Sequence, residues 1–564
     1  MVAILLLVLV LAMQAQRQAP SGVSGPGPQA GSDAPRLAAP VGASSGEKGA
    51  TVPDVPNTPA GENGVGVGRP VAPVHTRPLR DTKPVPPVAG DRVREMPELD
   101  PLDTSAPGAA VNDPVMQTSF SSEPLAAAAM PSPFLNFPGL TNVNRVYPPD
   151  TTGEAGPNHY FQWVNLSFQI FDKTTGASLY GPANGNTLWN SLGGTCAAQN
   201  AGDPVVLYDQ FAGRWVVSQF TSSAPYGECV AVSATSDPLG SYHLYFFQHS
   251  TSVFYDYPHM GVWPDGYYTT FNKFKMPAGR YQGGAVVVYD RAKMLLGQPA
   301  GFQEVAVSTT YGTLQPADVD GDVLPPSGAA NVLVARGGTT SLRFWKYSVN
   351  WSNPASSSFT GPTTVSVASY NQLCAGTRSC VPQPGTNVGL DGLGDRLMFR
   401  VAYRNFGTYQ SLVLNHSVNA ATSGTKAGIR WYEVRNPHGT PSIYQQGTYA
   451  PDTASRWMAS AAQDNEGNIA VGYSVSSGSI YPSIRYTGRL ATDPLNTLPQ
   501  GEVNIISGSG SQTGTGYRWG DYSHMSIDPT DDCTFWYTTE YMPTTGTASW
   551  ATQIASFKFA GCQR

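Results

Sequence analysis

From about residue 140 onward, short runs rich in Val, Ile, Tyr, Phe, Trp and Thr alternate with clusters of Gly, Pro, Asn and Asp, and helical periodicity is nearly absent. "PVVLYDQFAGRWVVSQF" (204–220), "GAVVVYDRAKM" (284–294), "NVLVARGG" (331–338) and "EGNIAVGYSV" (466–475) all read as strand–turn–strand. The one helix-like stretch is "DRAKMLLG" (290–297). About 420 residues of strand with no helices to cover them must close on themselves or stack as many sheets, because open edges recruit other chains.

Repetition favours closure. "GDPVVLYDQFAGRWVVSQF", "YDYPHMGVWPDGYYTTFNKF", "LGDRLMFRVAYRNFGTYQSLVL", "SRWMASAAQDNEGNIAVGYSVS" and "GDYSHMSIDPTDDCTFWYTTEY" share one pattern. A leading polar residue, usually Asp, precedes a short apolar strand, a polar turn and a second strand rich in aromatic or β-branched residues. "PNHYFQWVNLSFQIFD" (157–172) and "PADVDGDVLPPSGAANVLVAR" (316–336) fit more loosely. The leading positions fall near 158, 203, 256, 318, 391, 456 and 521. Seven such units predict an all-β chain folded as a β-propeller of seven blades, with six or eight as the neighbouring counts. In that arrangement "DYPHM" (256–260) and "DYSHM" (521–525) occupy the same place on two blades. Their His and Met are expected to serve the scaffold, since an Asp before a strand caps a turn and a strand His finds a partner in the core.

Four strings, "YPPDTTGEAGPNHYFQWVN", "GDPVVLYDQFAGRWVVSQF", "DYPHMGVWPDGYYTTFNKF" and "RWGDYSHMSIDPTDDCTFWYTTEY", resemble a family of secreted bacterial proteins of unassigned function that are themselves expected to be β-propellers. The resemblance spans about residues 140–564 and implies export and a propeller fold. It implies no catalytic residues.

The chain before residue 129 reads differently. Val2 to Met13 is an apolar run of twelve residues, too short for a bilayer span of roughly 20 and suited to a signal-peptide core. Residues 1–16 are therefore expected to be a signal-like segment. Residues 17–128, rich in Pro, Gly, Ala, Ser and Val and nearly free of aromatics, are expected to be a disordered tether, because they cannot bury enough apolar surface to offset ordering. Residues 129–564 form the expected propeller domain. Six cysteines suit an oxidising compartment. Pairing by proximity gives Cys374 with Cys380 and Cys533 with Cys562, leaving Cys196 with Cys229, although six cysteines allow fifteen connectivities. With these features the mature chain is expected to lie outside the cell or at its surface, without a transmembrane segment and as a monomer.

Charged residues make up 13% of the chain, against about 25% in an ordinary domain, and the net charge is −6. A nucleic-acid partner, which needs a basic surface, is excluded on that ground. Loops at one end of a propeller converge on its axial mouth, where Asp203, Asp256, Asp391, Arg456, Arg518 and Asp521 are the candidates for a polar pocket. Asp318, Asp320 and Asp322 in "DVDGD" alternate around Gly321 as hard oxygen ligands do in calcium loops of integrin-type propellers. The expectation is no cofactor, or calcium at this loop, the other reading being an acidic hairpin turn, since Val323 replaces that motif's second Gly and its final Asp is missing. "SIDPTDDCTFW" (526–536) resembles the sialidase Asp-box, a structural turn; of the arginines before a Trp that a sialidase triad could use, Arg456 and Arg518 are expected at the mouth, while Arg214, after a turn inside a blade, is not, which weakens the triad. No catalytic signature is complete. The expected function is a non-enzymatic binding or adhesion module for an extracellular glycan or protein. The alternative is a polysaccharide-active hydrolase or lyase, sialidase-like or another glycosidase, working at the axial mouth.

Overall fold

The structure is a computed structural model, and it describes residues 64–90, 92–96, 99, 111–119, 129–515 and 517–564. It is all-β. Six consecutive stretches of chain each fold into a four-stranded antiparallel meander, and a seventh sheet takes three strands from the C-terminal end and one from far upstream. The first strands are Thr151–Ala155 in sheet 1, Val205–Asp209 in sheet 2 and Val253–Trp263 in sheet 3. Gln315–Asp320, Val401–Asn405, Ser455–Gln463 and His524–Ile527 open sheets 4 to 7. Sheets 4 and 5 are joined by a parallel pairing of their first strands, with Ala317 opposite Val401. Each first strand touches that of the next sheet in order, and that of sheet 7 touches that of sheet 1. The seven first strands therefore surround a common centre.

Sheet 7 accounts for the closure. Its fourth strand is Leu135–Thr141, paired antiparallel with Ala551–Phe557. A strand from before sheet 1 thus completes the last sheet and pairs backbone groups that would otherwise form a raw edge. The core lies between neighbouring sheets. Phe161, Trp163 and Phe168 of sheet 1 pack on Val206 and Trp215 of sheet 2. Trp431 and Tyr449 of sheet 5 meet Val471 and Tyr473 of sheet 6, and Tyr486 of sheet 6 stacks on Phe557 of sheet 7 with ring centres 3.8 Å apart. Sheets covered on both faces read as unbroken apolar runs such as "VVLYD", in which every residue is buried. The helix-like stretch is one turn, Arg291–Leu295, capped by the Asp290 carboxylate, which accepts from Lys293 N–H. Among the described residues no helix is long and apolar enough to cross a membrane.

The three disulfides are Cys196–Cys229, Cys374–Cys380 and Cys533–Cys562, the pairing that proximity suggests. They suit an oxidising, extracellular setting.

The tether reading needs correction where its residues are described. Val65–Val71 adds a fifth strand to sheet 3, pairing antiparallel with Ala300–Val307. Val74–His75 does the same for sheet 2. Arg94–Glu95 then runs parallel to Val146–Tyr147, and Met116–Gln117 parallel to the outer strand of sheet 5. Asp113 anchors this last stretch through a buried ion pair with Arg430 at 2.8 Å. The described residues between 64 and 119 thus contain a strap laid over sheet edges. Much of its pairing is through the backbone, Val65 and Leu79 also enter the core, and Gly68 lies so flat on the Phe302 ring that a Cβ would not fit. The signal-like segment 1–16 and the stretch 17–63 lie outside the described residues.

Candidate functional site

The residues of "DYPHM" and "DYSHM" meet. Tyr257 Oη donates to the Asp521 carbonyl at 3.0 Å, Tyr522 Oη donates to the Pro258 carbonyl at 3.1 Å, and the two rings lie 5.1 Å apart. Sheets 3 and 7 are thereby tied to each other across the centre of the ring. Around this crossing the leading loops bring four carboxylates together, Asp150, Asp203, Asp256 and Asp521, with Arg396 and Arg518. Asp150, Asp203 and Asp521 each take a left-handed backbone, with φ of 47°, 45° and 62°. Asp tolerates that conformation better than most residues, which explains its recurrence just before these strands.

Each group has a partner. Arg518 pairs with Asp521 through Nη2, and its Nε lies 3.9 Å from Asp391. Asn165 donates to Asp150, Asp256 accepts from Tyr257 N–H at 3.0 Å, and Asp203 shares the Tyr522 hydroxyl proton with the Pro258 carbonyl, at 3.2 Å from Oη. Arg396 forms a two-pronged pair with Asp395 at 2.8 and 2.9 Å and lies over the Tyr257 ring. Met96 and Leu99 of the strap cover the cluster, and Arg518 donates to the Met96 carbonyl at 3.3 Å. The space left is about 10 Å³, room for a single water at most.

Loss of hydration dominates the electrostatics. It pushes Asp203 up to about 7, with the charge of Asp521 adding to the shift, and it raises Asp150 and Glu540 well above the ordinary carboxylate range. A carboxylate raised from 3.8 to about 7 holds a proton in the folded state that the unfolded chain has lost, so its ionisation costs stability as pH rises from about 4 to about 7. Asp203→Asn is therefore expected to melt a few degrees above the parent at pH 8 and level with it at pH 4. A variant melting below the parent at pH 8 would mean that Asp203 works there as a paired carboxylate.

Deeper along the centre, Phe399 lies between the two histidines of the repeated motif. Ring centres are 5.8 Å apart to His259 and 5.0 Å to His524. Among the described residues neither His259 nitrogen has a hydrogen-bond partner, whereas His524 Nδ1 accepts from Gly153 N–H at 3.3 Å. Burial holds the His259 imidazole down at about 3 and that of His524 well below the usual range. At the far end Arg400, 1% exposed, pairs with both Asp320 oxygens and lies 3.4 Å from Asp318. Among the described residues these side chains pack against one another at three places along the centre.

The sequence-derived candidates sort as follows. Asp203, Asp256, Arg518 and Asp521 do come together. Asp391 sits behind Arg518, paired with Arg378 at 2.8 Å, and does not line the space. Arg456 lies elsewhere, buried within sheet 6 between Asp452 and Glu502. It belongs to a strand and not to a loop, and strand phase turns its side chain into the interior of that sheet's packing. Arg214, holding the carbonyls of Ala212 and Gly213, is also remote, so no sialidase-type arginine triad forms.

The calcium reading is corrected too. Asp318 caps Val262 N–H at 2.8 Å, Asp320 is taken by Arg400, and Asp322 pairs with Arg564 at 2.8 Å. The three carboxylates diverge and are neutralised by guanidiniums. Among the described residues no group of three or more His, Cys, Asp or Glu is placed to hold a metal. In "SIDPTDDCTFW", Asp528 accepts from Trp536 Nε1 at 2.9 Å and from Thr530 N–H at 2.9 Å, the turn-forming role expected. Asp150, Arg396, Tyr257 and Tyr522 were not among the candidates. Setting "PPDTT" beside "GDPVV" would have found Asp150, but sheet 1 was phased one strand late, on its second strand His159–Val164.

No family model and no curated protein matches the chain. Among solved structures it is similar to the endosialidase of phage phi92, at 9% identity and a TM-score of 0.33, over 62% of this chain and 66%, just under two thirds, of that one. A protein of unknown function from Dyadobacter fermentans matches at 12% identity and a TM-score of 0.32, over 63% of this chain and 94% of its own. Domains 1–2 of Drosophila Semaphorin 1b match at 6% identity and a TM-score of 0.35, over 76% and 87%.

Proposed function

We propose that this chain is an exported seven-bladed β-propeller, of the secreted bacterial family its motifs resemble, acting as a non-enzymatic binding module for an extracellular glycan or protein. The observation that carries the reading is the closure of the centre. An enzyme working at the axial mouth needs carboxylates open to substrate, with a pair about 5–10 Å apart for glycoside hydrolysis. Here the carboxylates are engaged by Arg518, Asn165 and Tyr522 and roofed by Met96 and Leu99, with about 10 Å³ between them. Such a cluster orders loops and leaves the outer surface for recognition. Three disulfides and a strap across sheet edges fit a module that has to survive outside the cell.

The test pairs two measurements on the full chain. A glycan and extracellular-protein array is expected to give saturable binding. Incubation with acidic and neutral polysaccharides is expected to release no new reducing ends and no unsaturated uronates. Turnover that Asp150→Asn or Asp203→Asn abolishes would place catalysis at the centre and sink the reading.

A further inference from the structure

A cleft of about 250 Å³ opens beside the filled centre, between sheets 3 and 4, and Arg396 lines both spaces. One wall is the loop at residues 308–313, held by Tyr311 N–H on the Ser308 carbonyl at 2.9 Å and by Tyr281 Oη on the Tyr311 carbonyl at 2.8 Å. The other wall comes from sheet 4, which presents Arg336 and Arg343. Arg343 lies over the Tyr311 ring, 4.8 Å from its centre. Arg336 is fixed by neutral partners, the Tyr370 hydroxyl at 3.0 Å and the Gly394 carbonyl at 2.7 Å.

The contrast with the other interior arginines is informative. Arg400, Arg404, Arg430 and Arg456 each meet a carboxylate. Among the described residues neither Arg336 nor Arg343 has a carboxylate in ion-pair contact; Asp395, the one acid in the cleft, is taken by Arg396, and its charge reaches Arg336 without a direct bond. Two guanidiniums thus line this space in a chain whose net charge is −6. Arginine's planar fork matches carboxylate and sulfate oxygens. The exposed hydroxyls of Thr309 and Thr310 and the Tyr281 and Tyr311 rings line the same space. Its volume exceeds what an inorganic oxyanion fills and falls just short of the roughly 300–1,000 Å³ of larger ligand pockets.

We propose that this cleft binds one negatively charged sugar residue of an acidic glycan. Arg336 and Arg343 hold its carboxylate or sulfate, Tyr311 lies against the ring, and the threonines meet its hydroxyls. The inference rests on the binding-module reading and supplies its site and ligand class. Ligand-observed NMR and calorimetry on the full chain, with D-glucuronic acid, glucose 6-sulfate, glucose and hexaglutamate as probes, test it. Both charged sugars are expected to bind at least tenfold more tightly than glucose and to weaken with added salt. Arg343→Ala is expected to cost at least tenfold in affinity with an unchanged melting temperature, and Arg343→Lys to recover only part. Thr310→Trp, on the exposed rim, is expected to abolish binding by filling the cleft. Equal binding of glucose, or tighter binding of hexaglutamate, would overturn the acidic-sugar assignment. Glycan binding indifferent to both Arg343→Ala and Thr310→Trp would overturn this site while leaving the binding module standing. Polysaccharide turnover would overturn the module reading instead.

Discussion

Arg400→Ala is expected to destabilise the folded protein by about 3–5 kcal/mol, the cost of stranding buried carboxylates without their cation. Arg400 is 1% exposed, and its guanidinium serves Asp318 and Asp320, which are 5% and 7% exposed. Glu154 also feels its charge. Burial already pushes Asp318 up to about 6, against the pull of Arg400. Without the guanidinium the carboxylates have to take up protons or stay charged in a dry interior, and both routes cost free energy. Arg400→Lys keeps a charge but loses the fork, and it is expected to fall between the parent and the alanine variant. Combining Arg400→Met with Asp318→Asn and Asp320→Asn removes the charges together and should recover most of the loss. Chemical denaturation of the four proteins measures this. An alanine variant within about 1 kcal/mol of the parent would mean that the guanidinium is solvated.

The second large effect is acid lability. The folded protein keeps the His249 and His259 imidazoles down at about 3, and those of His416 and His524 well below the usual range, mainly by burial. Arg396 is the cation that adds to the shift at His259. The unfolded chain takes up these protons near pH 6.5 and the folded chain does not, so stability is present above that pH and is lost as pH falls toward about 3. Each such histidine withdraws on the order of 1 kcal/mol per pH unit in that window. The raised carboxylates Asp150, Asp203 and Glu540 act in the opposite sense, gaining on acidification. His259→Leu separates the two. Among the described residues neither nitrogen of His259 has a partner, so the substitution is expected to be tolerated at pH 7.5. At pH 4.5 it is expected to be more stable than the parent by about 2–3 kcal/mol. An acid unfolding midpoint unchanged by His259→Leu would show that His259 is hydrated or protonated in the fold.

What could be read from the amino acids depended on where the interactions lie. Strand-forming stretches such as Val205–Asp209 are legible because packing on both faces demands apolar side chains throughout. The grouping of Asp203 and Asp521 was legible because the same left-handed turn recurs and favours the same residue, whereas beside Asp256 the left-handed residue is Tyr257. Arg456 misled because a strand residue can point along its own sheet's packing, and only the three-dimensional phase decides which. The strap left no side-chain pattern, since residues 65–71 and 116–117 are held through backbone amides and carbonyls. Closure by Leu135–Thr141 joins positions more than 400 residues apart, and no local signal marks such a pairing. Asp318, Asp320 and Asp322 have calcium-like spacing, but Arg400 and Arg564 come from distant segments that spacing alone does not reveal.

The reciprocal bonds between Tyr257 and Asp521 and between Tyr522 and Pro258 make a chord of the circle. On one arc it subtends sheets 4, 5 and 6, and on the other sheets 1 and 2. Gaining or losing a unit by duplication or deletion on either arc would change the circumference and pull the two tyrosines out of reach of each other's backbone. The chord thus acts as a gauge that passes one ring size.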